Sequence, residues 1–102
     1  MRFGLKEEVI QAIINVLASH PEVGKALLYG SRVKGTYKPA SDIDLTVIGE
    51  AIDMSILNKI SWELDDLLLP YTFDLSIYHH LEDPDLMDHI NRVGVVFYSK
   101  EV

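Results

Sequence analysis

The chain has 102 residues, 48% apolar and 25% charged, enough for one modest hydrophobic core and too few for two domains, so a single domain over 1–102 is expected. It contains no cysteine, which excludes disulfides and thiolate zinc sites. A net charge of −7 disfavours unaided binding to a long nucleic acid, because that affinity rests on cations neutralising phosphates. A basic protein, or a small substrate whose phosphates arrive with metal, suits such a charge better. No apolar run approaches the roughly 20 residues that cross a membrane. The segment Met1 to Glu8 lacks the apolar stretch of a signal peptide, so a cytoplasmic location is expected.

In chain order, Val9, Ile13 and Val16 recur at helical spacing, flanked by Ile10, Ile14 and Leu17, with Glu7, Gln11 and Asn15 opposite. This predicts a helix from about Leu5 to Ser19, stopped by Pro21. Lys25 to Tyr29 is a short apolar run ending at Gly30 and reads as a buried strand. Lys34 to Ser41 reads as a loop. Asp42 to Ile48 reads as a second strand, closed by Gly49. Asp53 can cap a helix from about Met54 to Leu69, with Leu57, Ile60, Leu64, Leu67 and Leu68 as its apolar stripe and Pro70 as its stop. Thr72 to Tyr78 alternates as a third strand. Asp83-Pro84-Asp85 pairs a capping carboxylate with proline at the first helical position, which predicts a helix to about Arg92, ended by Gly94. Val95 to Tyr98 is a last short strand. The expected fold is α/β (α+β), a mixed sheet of about four strands with helices packed on it.

Three features point to chemistry. Gly30 and Ser31 follow the first strand, with Gly35 four residues beyond Ser31; glycines let backbone N–H groups approach phosphate oxygens, and the Ser31 hydroxyl can donate to one. Asp42 and Asp44 are two apart in a strand and so share a face, where two anions repel unless a cation lies between them. Mg²⁺ fits, being a hard ion that takes carboxylate and phosphate oxygens. Asp74 is a lone carboxylate in an apolar run, which is costly in a core unless paired or metal-bound. These residues meet if strand one is antiparallel to strand two and strand three is parallel to it.

The runs Gly30-Ser31-Arg32-Val33-Lys34-Gly35, Ser41-Asp42-Ile43-Asp44-Leu45 and Phe73-Asp74-Leu75 together resemble the signature of the DNA polymerase beta superfamily of nucleotidyltransferases. They are most similar to its minimal single-domain branch, MNT, and the resemblance runs on to Tyr98. It implies a polymerase beta-like fold and a catalytic set of Asp42, Asp44 and Asp74 that binds two Mg²⁺ ions. Asp74 would double as general base. It also implies a nucleotide-binding segment made of Gly30, Ser31, Arg32, Gly35 and Ser41. Ser31 and the backbone at Gly30 would hold the β- and γ-phosphates of ATP, and Arg32 would reach a phosphate or a partner. Members of this branch resemble antitoxins that move AMP from ATP onto a tyrosine of a HEPN-domain toxin, which implies a hetero-oligomer with such a toxin.

Plainer readings apply to other residues. Ser41 reads as a local hydrogen-bonding residue that positions the Asp42 loop. Arg32 and Lys34 read about equally well as solvated surface cations and as phosphate contacts. His79 and His80 are adjacent, point apart in a strand and read as loop residues rather than ligands. Trp62 reads as core or interface, and Tyr29 and Tyr78 as packed. Two rival functions remain open: an antitoxin that neutralises its partner by binding alone, and nucleotidyl transfer to a small hydroxylated molecule.

Overall fold

The chain order expected from its periodicities is present in the computed structural model, which describes residues 1–100. The elements are α1 (Glu7–Ala18), β1 (Lys25–Tyr29), α2 (Ser31–Lys34), β2 (Ile43–Ile48), α3 (Met54–Asp66), β3 (Phe73–Ile77), α4 (Pro84–Val93) and β4 (Val95–Ser99). Two short features join these elements: α2, a helical turn directly after Gly30, and a 3-10 turn over Tyr78–His80. The four strands form one mixed sheet in the order β3-β2-β1-β4. β1 runs antiparallel to β2 and to β4, while β2 and β3 are parallel.

One face of the sheet is apolar. Ala26, Leu28, Ile43, Leu45 and Val47 project from it onto Ile10, Ile13 and Leu17 of α1 and Leu57, Ile60 and Leu64 of α3, in one buried cluster. α3 and α4 begin where their caps predict, while α1 starts at Glu7, two residues after the expected Leu5, with no side-chain cap. The Asp53 carboxylate accepts from Ile56 N–H at 3.0 Å, and the Asp83 carboxylate accepts from Asp85 N–H at 3.0 Å. His20, just beyond α1, meets both carboxylate oxygens of Glu63 on α3 at 2.8 and 2.9 Å and ties the two helices together.

The third helix differs from expectation at its end. α3 stops at Asp66, three residues before the expected Leu69. Leu67 caps it and packs against the core, whereas Leu68 is 88% exposed and not part of the apolar stripe. The reason is local: Leu68 has φ +55°, the left-handed conformation that reverses a chain after a helix and that costs a side chain with a Cβ. Trp62 is likewise not core, being 67% exposed on α3.

Replacing Leu68 by glycine relieves the left-handed backbone and gives up almost no packing. Leu68→Gly is therefore expected to raise unfolding stability by about 1 kcal/mol, read as a higher midpoint in urea; a lower midpoint would show that Leu68 packs as well as bends.

Candidate active site

The strand registers decide what meets. Tyr29 of β1 lies opposite Asp44 of β2, and Asp44 lies beside Asp74 of β3. Paired positions share a face, so Tyr29, Asp44 and Asp74 stand together on the face away from α1 and α3. α4 packs against this face at β1, where the His89 ring meets the Tyr29 ring edge-on with centroids 6.1 Å apart. Asp42 lies just ahead of β2, two residues from Asp44, rather than inside the strand.

Gly30 joins β1 to this cluster. Its backbone has φ +79° and ψ −154°, a region almost closed to other residues, and a Cβ there would run into the Asp44 carboxylate. The turn is thus drawn against the acid by the absence of a side chain. Gly30 also caps α2: its carbonyl accepts from the N–H groups of Val33 at 3.2 Å and Lys34 at 3.1 Å. Ser31 is the first helical residue, so its own N–H and that of Arg32 precede the first intrahelical bond. Gly35 closes α2 with φ +81° and open space around it, so its role there is conformational rather than close approach.

Arg32 departs most from its expected position. Rather than reaching toward a phosphate or a partner, it is 2% exposed. Its guanidinium donates to the carbonyls of Phe3 at 2.9 Å, Pro39 at 3.2 Å and Ser41 at 2.8 Å, and lies over the rings of Tyr37 and Tyr71 at 5.3 and 5.0 Å. Those partners hold it inward, and it organises the loop that delivers Asp42. Ser41 belongs to the same device: its hydroxyl accepts from Lys38 N–H at 2.7 Å, the local bonding expected of it. Lys34 is exposed.

The burial of the acids also differs from expectation. β3 is an edge strand and Asp74 is exposed, as is Asp42; the desolvated carboxyl is Asp44, half-buried between them. Burial pushes the Asp44 carboxyl up to about 6, with further contributions from the charges of Asp74 and Asp42 and an opposing one from Arg32. Burial also raises the Tyr29 phenol, with Asp74 and Asp44 adding to the rise.

Among the described residues, no group of three or more acids, histidines or cysteines is closed tightly enough to hold a metal alone. The donor set nonetheless suits Mg²⁺, which keeps few protein ligands and fills its shell with water and phosphate oxygens. The like charges around Asp44 are a physical reason for it to gain from a cation. His79 and His80 sit exposed in the 3-10 turn, edge to face at 4.8 Å. A cleft of about 670 Å³ lies at the far end of β1 and β2, among Glu22, Lys25, Ile48, Glu50 and Lys100, and contains none of the three acids. His89 and the placement of Tyr29 beside the acids had no sequence signal, because both depend on where α4 and β1 land.

Comparison with known proteins shows the family and the fold. Residues 11–102 match the family described as Polymerase beta, Nucleotidyltransferase. A Haemophilus influenzae protein named "Probable protein adenylyltransferase MntA" is 34% identical over 74 residues, 72% of this chain and 64% of that protein, so the match spans less than two-thirds of the relative's length. A crystal structure of a toxin-antitoxin with AMP-PNP superposes with a TM-score of 0.69 at 21% identity, covering 95% of this chain and 76% of the other. A chain from the structure of a tri-AMPylated Shewanella oneidensis HEPN toxin in complex with MNT antitoxin superposes with a TM-score of 0.68 at 18% identity, covering 95% of this chain and 75% of the other. At these identities the superpositions show a shared fold. Among the described residues, no helix is long and apolar enough to cross a membrane.

The raised Asp44 carboxyl has a measurable sign. Its folded pKa lies above the ordinary 3.8, so its contribution to stability is fully present below pH 3.8 and is lost as pH rises through about 6. In the absence of divalent ions, Asp44→Asn is therefore expected to raise the melting temperature at pH 8 and to leave it nearly unchanged below pH 3.8. Equal effects at both pH values would show that Asp44 feels neither burial nor its acidic neighbours.

Proposed function

Since the chain belongs to the polymerase beta nucleotidyltransferase family, we propose that it is a cytoplasmic, Mg²⁺-dependent enzyme that moves AMP from ATP onto a tyrosine hydroxyl of a HEPN-type toxin, and so acts as its antitoxin. The observation that carries the reading is the parallel register that sets Asp44 beside Asp74, with the Gly30 turn packed on Asp44. The MntA relative and the AMPylated toxin complex support the choice of AMP and of a protein acceptor. The acidity of the chain supports it too, because a nucleic-acid acceptor would be repelled.

In this reading Asp42, Asp44 and Asp74 hold two Mg²⁺ ions. Bound there, the metal supplies charge neutralisation at the triphosphate and a lowered pKa for the attacking hydroxyl. The free N–H groups after Gly30 and the Ser31 hydroxyl hold the β- and γ-phosphates. Asp74, exposed on the edge strand, accepts the proton of the acceptor hydroxyl. The deprotonated oxygen attacks the α-phosphorus in line; the new O–P bond forms as the bond to the β-phosphate bridge breaks, and pyrophosphate leaves. Arg32 contributes at a distance, by holding the loop from which Asp42 projects. Gly35 and Ser41 serve the same segment, as its turn and its tether.

The test incubates the chain with ATP, Mg²⁺ and its toxin partner and weighs the partner by mass spectrometry. An AMP adduct is expected, and the Asp42→Asn/Asp44→Asn double variant is expected to abolish it while keeping the circular dichroism of the wild type. A folded wild-type chain that binds ATP and leaves the partner's mass unchanged would overturn transfer to that acceptor. Full protection of cells by the double variant would favour neutralisation by binding instead.

A further inference from the structure

The Gly30 turn is pressed on Asp44 in a backbone conformation that only glycine holds without strain, and the same freedom lets the residue leave it. Something must fix it from the other side. Its carbonyl is used by α2, but this constrains the segment after Gly30 rather than the approach of the turn to the sheet. Its N–H points toward α4 and donates to His89 Nε2 at 3.3 Å. His89 is 59 residues away in sequence, is half-buried, and has its ring set edge-on against Tyr29, the residue preceding Gly30. One imidazole therefore touches both the last residue of β1 and the first residue of the turn.

The geometry points to His89 as a positioning residue for the nucleotide site: it locks the Gly30–Ser31 turn in place against Asp44 from a helix that carries none of the three acids. The inference rests on the phosphate-binding reading of that turn. The chemistry is specific. Nε2 can accept from an N–H only in the neutral imidazole with its proton on Nδ1, so the lock needs an acceptor at that reach and not merely a ring of that size. A half-buried N–H that loses its acceptor pays a desolvation cost, and the turn then gains by moving away from Asp44 toward water. The N–H groups that follow Gly30 would move with it. Such a lock acts on triphosphate binding more than on the proton transfer at Asp74, which sits on a different strand.

Two substitutions separate the lock from packing. His89→Phe keeps a flat ring against Tyr29 and removes the acceptor, whereas His89→Gln loses the ring and restores an acceptor oxygen near the position of Nε2. Hydrogen exchange of the Gly30 amide, followed by NMR on the intact chain without ligand, reads the lock directly: protection is expected in the wild type and in His89→Gln and is expected to be lost in His89→Phe. KM for MgATP in the transfer assay is expected to rise roughly three- to tenfold in His89→Phe, the scale of one lost hydrogen bond, with kcat little changed and with recovery in His89→Gln. Gly30 protection that survives in His89→Phe would overturn the lock. So would a fall in kcat at constant KM, or a His89→Gln variant as impaired as His89→Phe. A wild type that binds no MgATP would instead overturn the phosphate reading of the turn, and the Gly30 exchange would still decide whether His89 holds it.

Discussion

The parallel pairing of β2 with β3 sets two carboxylates side by side, and the rest of the site is arranged around that repulsion. Asp44 and Asp74 are direct register partners, so a slip by one residue would send one of them into the apolar core and the other out alone. The slip is prevented by the opposite face of the same strands. Ile43, Leu45 and Val47 of β2 are completely buried, and Phe73, Leu75 and Ile77 of β3 pack on the same cluster, so a one-residue slip would turn one of these two sets away from the core. Core packing thus holds together two groups that electrostatics would separate. The strain falls mainly on Asp44, the one acid of the three that is half-buried, and it surfaces as a carboxyl raised to about 6.

The opposing charge is near but not paired. Arg32 is buried two residues after Gly30 and satisfies its guanidinium with backbone carbonyls and two aromatic rings, not with a carboxylate. A salt bridge to Asp44 would have neutralised the acid and removed its need for a cation. Bonding to carbonyls instead lets Arg32 shape the loop from Gly35 to Asp42 while leaving the acids free, with only a modest field on Asp44. Tyr37 and Tyr71 enclose the cation from two sides, and Phe3 links it to the N-terminal segment, so one side chain ties three distant stretches of chain to the mouth of the site.

Much of this was legible in the sequence, and the limit has a physical shape. The two-residue spacing of Asp42 and Asp44, the glycine after an apolar run, and the position of Asp74 early in its strand required β1 antiparallel and β3 parallel to β2; these orientations are present. Capping carboxylates announced both α3 and α4. What stayed hidden depends on tertiary neighbours. Whether Asp74 is buried turns on β3 being an edge, and the sheet order that makes it one involves β4, whose place beside β1 has no local signal. Arg32 reads as a surface cation until Tyr37 and Tyr71 are known to close over it. Leu68 reads as one more leucine of a stripe until α3 ends two residues before it. His89 lies on a polar stretch of α4, and only the packing of that helix on β1 brings it to Gly30.

The openness of the acids bears on how the proposed reaction would be contained. Asp42 and Asp74 face solvent, and the 670 Å³ cleft is at the other end of the strands. Phosphoryl transfer by charge stabilisation gains from a low dielectric, since the same charges interact far more strongly once water is displaced. The chain supplies that environment on one side only, through the half-buried Asp44, the packed Tyr29 and the turn held under α4. In the proposed reaction the other side has to come from the acceptor. A folded protein bearing a tyrosine can cover the acids as it presents its hydroxyl, which a small free molecule cannot do. The same covering would raise the cost of an unneutralised Asp44 further, so acceptor docking and metal binding would reinforce each other: each makes the other more favourable at the one carboxyl that burial already strains.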